Sequence, residues 1–284
     1  MNSCYLCGGG NIQKRPGRVR DRNDLDILEC CDCGLVFLSS FDHINTDYYK
    51  NSGMDGTDYS IESWIHDTAR DDQRHFNTFQ GLLTNKTLLD FGCGNGGFLI
   101  RAKELVSLAV GLEPDTKVAP YFQEKQLTVF PDLDLVKQSF DIITLFHVLE
   151  HLPDPINTMK LLTKKLNHGG SILIEVPNAD DALLSLYQSR SFSEFTYWSC
   201  HLFLFNSKSL KSLAAKAGLK TCYIQQVQRF PLSNHLYWLA QGKPGGHSQW
   251  DFINCPELDG AYAKQLASIG CCDTIVGRFE LNAQ

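Results

Sequence analysis

The sequence predicts an α/β protein, a parallel, doubly wound sheet with a small zinc ribbon at its N-terminal end. Two observations lead there. From residue 86 onward, short apolar runs alternate with amphipathic stretches, the pattern of strands joined by crossover helices. Ahead of them, Cys4 and Cys7 form one Cys-x-x-Cys pair and Cys30 and Cys33 another, each closed by a glycine. A third observation bounds the partners: Lys+Arg of 26 against Asp+Glu of 32 leaves a formal charge of −6, which argues against a general phosphate-backbone binder.

Residues 1–40 read as the ribbon. Two thiolates three apart and followed by glycine make a tight knuckle that offers both sulfurs to one ion. Two knuckles make a tetrahedral S₄ site that suits Zn²⁺, and with all four positions filled the ion is structural. Cys31 could replace Cys30 if the second knuckle shifted; the remaining cysteines show no ligand spacing. Between the knuckles, KRPGRVRDRNDLDIL mixes basic and acidic residues and reads as a solvated hairpin. LVFLSS closes the unit as a strand. Residues 41–84 follow as a loop and helical linker: 41–60 hold Tyr48, Tyr49 and Tyr59 among turn-forming residues, and 61–83 have helical spacing.

The main domain is expected over 85–230 plus 271–284. Strands are predicted at Thr87–Phe91, Leu108–Leu112, Thr128–Phe130, Phe140–Phe146, Ser171–Val176, Thr221–Gln228 and Thr274–Leu281. Helices are predicted at Gly97–Val106, Val118–Lys125, Pro155–Leu166 and Ser207–Ala217. Residues 231–270 are too many for an ordinary connection and read as an insertion over the active face. A lid or a homo-oligomer contact would both account for it. No run of 18 apolar residues is present, so no membrane span is expected, and no secretory pattern opens the chain. The expected location is the cytoplasm.

The first strand runs into Asp90-Phe91-Gly92-Cys93-Gly94-Asn95-Gly96-Gly97 and then a helix, so a ligand can meet both glycine backbone and a helix N-terminus. Gly92, Gly94 and Gly97 formally match the dinucleotide fingerprint, with Glu113 about twenty residues on. Asp90 argues against it, because it would face a pyrophosphate with like charge. It suits a ligand with positive charge. DFGCGNG resembles motif I of the class I S-adenosylmethionine (SAM)-dependent methyltransferases, GLEPD resembles the second-strand end whose acid holds the ribose, and FDIITLFHVLEHLPDP resembles the fourth-strand motif. The resemblance implies a Rossmann-like SAM methyltransferase sheet. It places the cofactor against Asp90, Gly92, Cys93, Gly94, Asn95, Gly96, Glu113 and Pro114, with Asp132 near the adenine and His147 lining the cleft.

SAM is itself a strong electrophile, so an acceptor must be aligned and deprotonated. TYWSCHLFLFNSKSL (196–210) is similar to the Tyr-x-Glu-His-x-x-Tyr-Phe stretch of bacterial sugar C-methyltransferases, which also carry an N-terminal Cys₄ domain. That likeness puts His201 on the family's base, with Cys200 in place of the Glu, Trp198 of the first Tyr and Leu204 of the second. Tyr197, with Tyr48 and Tyr49, would orient the acceptor, and His147 would flank the methyl group. The expected function is methyl transfer to a small molecule, a sugar or nucleotide-linked sugar, with nucleic acid disfavoured by charge and by the absence of an aromatic-basic patch. The alternatives are an rRNA or tRNA methyltransferase with a zinc domain, or a non-enzymatic SAM-fold scaffold.

Overall fold

The computed structural model describes residues 3–45, 48–50 and 60–282. Part of the loop expected over 41–60, Tyr59 included, lies outside them. Ile12–Lys14 (β1), Ile27–Cys30 (β2) and Val36–Leu38 (β3) form an antiparallel meander. A long helix, Ile61–Leu83 (α1), starts where the Ser60 hydroxyl accepts from the Ser63 N–H and buries His75, Phe79 and Leu83.

The alternating region follows: Thr87–Phe91 (β4), Gly97–Ala102 (α2), Leu108–Leu112 (β5), Ala119–Glu124 (α3), Thr128–Phe130 (β6), Phe140–Phe146 (β7), Pro155–Thr163 (α4) and Leu166–Pro177 (β8). Two short helices, Ala182–Ser185 (α5) and Arg190–Ser193 (α6), lead to Phe203–Leu204 (β9) and then Ser207–Lys216 (α7), whose Asn206–Ser209 capping box fixes its start. Leu219–Val227 (β10), Leu232–Gln241 (α8), Gly246–Gln249 (α9), Pro256–Ser268 (α10) and Thr274–Leu281 (β11) complete the chain. The fifth main strand is longer than its apolar run, because Leu166 already pairs with Phe140 before His168-Gly169-Gly170 interrupt the pattern.

Seven strands form one sheet in the order β10-β11-β8-β7-β4-β5-β6. β11 runs antiparallel to both neighbours; the other pairs are parallel. The order reverses at β4, between β5 and β7, and such a switch point opens a crevice at the carboxyl ends of the strands. The ribbon does not stand apart. β9 adds to β3 as a fourth strand, Val36 opposite Leu204 and Phe37 opposite Phe203. One continuous core joins Leu35 and Phe37 to Phe140, Phe203, Phe205 and Leu210. Among the described residues no helix is long and apolar enough to cross a membrane.

Candidate active site

The glycine loop sits at the switch point. Gly92, Gly94 and Gly96 have φ of 75°, 55° and 78°, left-handed values that side chains disfavour. A Cβ on Gly92 would lie 2.5 Å from a Val148 methyl, and one on Gly94 would lie 3.2 Å from the Trp64 ring of α1, which folds across the loop. Glu113 ties the loop to the end of β5: one oxygen accepts from the Gly94 N–H (2.9 Å), the other from the Asp115 N–H (3.0 Å). The Asn95 side chain accepts from the Gly97 N–H (2.9 Å) and donates to the Thr68 hydroxyl (2.8 Å), bracing the loop against α1. Cys93 turns its thiol into the core beside Gly111, so only its backbone faces the loop.

Asp90 is 3% exposed and accepts from the Thr144 hydroxyl at 2.6 Å. Burial raises Asp90 to about 7 and Glu113 to about 7. Two acids gathered beside an open glycine turn fit a ligand that carries positive charge and a diol. The residues present therefore fit SAM. Asp132 lies at the exposed end of β6, where its carboxylate caps its own turn through the Asp134 N–H.

Beside the loop, charges are buried in a network. Glu175 on β8 is fully buried and accepts from Arg74 of α1 (2.8 and 2.5 Å), with His75 and His147 ring nitrogens each at 3.0 Å. Arg229 pairs with Asp71. Against burial and the repulsion of Arg229, contacts with Glu150 and Glu175 raise His147 to about 9. The two carboxylates favour its protonated form, while the Arg229 guanidinium, 3.1 Å from Nε2, opposes it, and His147 is not among the residues that line the cavity over the ends of β8, β10 and β11.

A cavity of about 340 Å³ opens over the ends of β8, β10 and β11, at the small end of the range for ligand pockets. Asn178, Asp181, Arg229 and Asp273 form its polar floor, and Phe192, Phe195, Phe230 and Trp238 supply aromatic walls. From the 231–270 segment, Asn234, His235, Trp238 and His247 reach the cavity; Tyr237 packs instead on Trp250. His201 is part of the wall. Burial, and then the nearby His151, lowers it to about 3, so it is neutral but a weak base. Asp181, raised to about 8 by burial and by Asp273, also accepts from the Leu183 N–H at 2.7 Å and so caps α5.

Three expected residues are placed elsewhere. Tyr197 is 1% exposed and packs under Gly17 of the ribbon, so its ring turns away from the cavity that Phe195 and Thr196 line. Tyr49 donates to the His151 carbonyl (2.8 Å), and Tyr48 stacks edge-on against Tyr49. Neither tyrosine lines the cavity.

The four ribbon cysteines converge. Cys4 and Cys33 sulfurs are 3.6 Å apart, Cys7 and Cys30 3.5 Å, and all four lie within 4.8 Å of one another. Tetrahedral Zn–S bonds of about 2.3 Å place sulfurs about 3.8 Å apart, so the donor set and its size suit Zn²⁺. Cys31 is exposed and outside the cluster, so the second knuckle uses Cys30.

Several cations lie over aromatic rings. The exposed Arg20 of the ribbon lies 4.3 Å from the Trp198 ring centre and 5.0 Å from that of Phe195. Arg70 and Arg229 flank Phe230 at 6.0 and 5.5 Å. Of these residues Phe195, Arg229 and Phe230 line the cavity, and Arg229 is paired with Asp71. The contacts join segments far apart in the chain, so no local run of residues announces them.

A family of methyltransferase domains matches the chain over residues 60–224, more than half its length. A tRNA U34 carboxymethyltransferase from Helicobacter hepaticus is 32% identical over 111 residues, which are 33% of this chain and 35% of that one. The enzyme of the same name from Campylobacter fetus is 28% identical over 172 residues, 54% of this chain and 59% of that one. The chain thus spans between about a third and three fifths of the length of these relatives. A solved SAM-dependent methyltransferase from Thermotoga maritima, described as a possible histamine N-methyltransferase, matches with a TM-score of 0.52 at 19% identity, over 78% of this chain and 94% of that one; at that identity the likeness speaks to the fold. The expected partner, a small-molecule acceptor with nucleic acid disfavoured, is corrected by the relatives named for tRNA. These matches do not carry the likeness to sugar methyltransferases.

Proposed function

The chain belongs to the methyltransferase-domain family and is a SAM-dependent methyltransferase, and we propose that its acceptor is a base of RNA, with tRNA the first candidate. The observation that carries this reading is a base-sized cavity at the sheet's carboxyl edge with aromatic walls at Phe192, Phe195, Phe230 and Trp238, two of whose rings also meet Arg20 and Arg70. Aromatic faces on which bases stack, with cations along the strand, are the means by which proteins bind single-stranded nucleic acid. An enzyme acting on a base must also take it out of the stack and into a closed site. The tRNA relatives support the same class. A tRNA substrate would place the work in the cytoplasm.

In this reading Asp90 faces the positive charge of SAM, Glu113 takes the ribose hydroxyls, and the backbone of Gly92–Gly96 with Pro114 shapes the floor. The base enters over β8 and β10, Asn178 and Asn234 offer amide groups to its edge, and Asp181 receives the proton. The role expected of His201 as proton acceptor passes to Asp181, since an imidazole titrating near 3 is too weak a base. Cys4, Cys7, Cys30 and Cys33 hold one structural Zn²⁺.

The test is transfer of tritiated methyl from SAM into separate pools of tRNA, rRNA and small metabolites, followed by nucleoside digestion. Label in a tRNA nucleoside is expected, with Arg20→Ala and Trp198→Ala raising KM for RNA. Unlabelled RNA beside a labelled small-metabolite pool would overturn the reading.

A further inference from the structure

A second cluster of metal-ligating side chains lies apart from the ribbon. A ring nitrogen of His151, the Cys200 sulfur and a ring nitrogen of His201 all lie within 4.8 Å of one another. They come from two elements: His151 ends the turn after β7, and Cys200 and His201 end the turn before β9. The two imidazoles meet edge to face, ring centres 4.7 Å apart. A donor set of two imidazoles and one thiolate suits borderline metals such as Zn²⁺.

Two features around the cluster point to an ion. The first is orientation. His151 Nδ1 is 2.9 Å from the Cys200 carbonyl and donates to it, which fixes the tautomer that leaves Nε2 with its lone pair. A backbone carbonyl on the far nitrogen is the usual outer support of a metal-bound histidine. The second is charge. Glu150, next to His151 in sequence, is fully buried, and neither of its carboxylate oxygens has a hydrogen-bond partner among the described residues. Its ion-pair contact among the described residues is His147 Nδ1 at 3.4 Å. Against burial, the three histidines around it favour its charged form, and a divalent cation held by two of them would add to that compensation while its oxygens lack hydrogen bonds.

We propose that His151, Cys200 and His201 bind a transition-metal ion of the Zn²⁺ class, with the coordination position not filled by protein facing the acceptor cavity. His151 and Cys200 are buried, whereas His201 is partly exposed and forms part of the cavity wall, so access is from that side. Three protein ligands with an open position is the arrangement of zinc sites that meet a substrate or water, in contrast to the closed Cys₄ set of the ribbon. The proposal is independent of whether the acceptor is RNA.

The experiment is metal stoichiometry. Full-length protein is stripped with a chelator under reducing, oxygen-free conditions and titrated with Zn²⁺ by calorimetry and with Co²⁺ by visible absorption. Wild type, Cys200→Ser, His201→Gln and His151→Gln are compared, with circular dichroism as the folding control. Each folded variant is expected to bind one ion fewer than wild type, and Cys200→Ser to lose thiolate-to-cobalt absorption as well. His201→Gln, on the cavity wall, keeps the test open if the buried Cys200 variant does not fold. Equal stoichiometry in wild type and folded variants would overturn the proposal, whatever the ribbon binds.

Discussion

Replacing Asp90 by Asn should make the ligand-free protein more stable and a worse binder of SAM. Asp90 is nearly sealed from water, with one short hydrogen bond from Thr144 to offset its burial. Its carboxyl moves from an ordinary 3.8 to about 7 on folding, chiefly through desolvation. At roughly 1.4 kcal/mol per tenfold change in proton affinity, holding it ionised costs the folded state about 4 kcal/mol. A raised carboxyl is protonated in the folded state while already ionised in the unfolded one between about pH 4 and 7. Stability therefore falls as pH rises through that window, and the loss is complete above it. Asn accepts the same Thr144 hydrogen bond without the charge. Urea unfolding at pH 5 and pH 8 should show the variant gaining about 1–2 kcal/mol over wild type at the lower pH and about 4 kcal/mol at the higher. Calorimetry at pH 8 should show SAM affinity reduced at least tenfold. A variant destabilised equally at both pH values would refute the reasoning, because the carboxylate would then be a structural acceptor rather than a charge held for a cationic ligand.

Gly94→Val should abolish SAM binding by calorimetry while the protein still folds, since its φ of 55° and the Trp64 ring leave no room for a branched side chain. Asp181→Asn should lower turnover by roughly 10²–10⁴ with SAM affinity unchanged, and the wild-type rate should rise with pH through about 8 as Asp181 ionises; a flat profile would exclude it as the proton acceptor. Glu175→Gln should cost about 3–5 kcal/mol in urea unfolding, because it leaves Arg74 and two histidines around a lost buried charge. Cys7→Ser should lower zinc content by one ion in elemental analysis and raise hydrogen exchange both in 3–40 and in the β9 segment that pairs with the ribbon.

The doubly wound sheet and the glycine loop were legible because each rests on local signals, whereas the strand order and the antiparallel β11 needed the fold. Apolar period, the run of glycines and the paired cysteines are all written within a few residues, and burial then follows from alternation. The strand boundaries missed were those set by partners: β8 reaches back to Leu166 because β7 offers it hydrogen bonds, not because its residues are apolar. Site residues divide the same way. Glu113 and Asp90 could be placed from strand ends, and Asp181 could have been, since it stands just past Pro177 in PNADD. Burial changes chemistry without changing sequence, so nothing in FHVLEH shows that His147 meets both Glu175 and Arg229. The aromatic walls of the cavity needed the fold, as did the finding that Tyr197 faces the ribbon.

The pairing of β3 with β9 has a consequence for the order in which the chain can be assembled. During synthesis the three N-terminal strands emerge first and can close on their metal, yet Val36–Leu38, wholly buried in the finished protein, must wait for Phe203–Leu204 to be made. In that interval an apolar strand edge is open, the kind of edge that recruits other chains. Its natural mate is the stretch that immediately follows His201, so the last step that seals the ribbon also sets the wall of the acceptor cavity. Truncation before β9 should therefore leave a nascent ribbon prone to aggregate. Opening the Cys₄ cluster in the mature protein should be felt at the cavity wall, because β9 both pairs with β3 and directly follows His201.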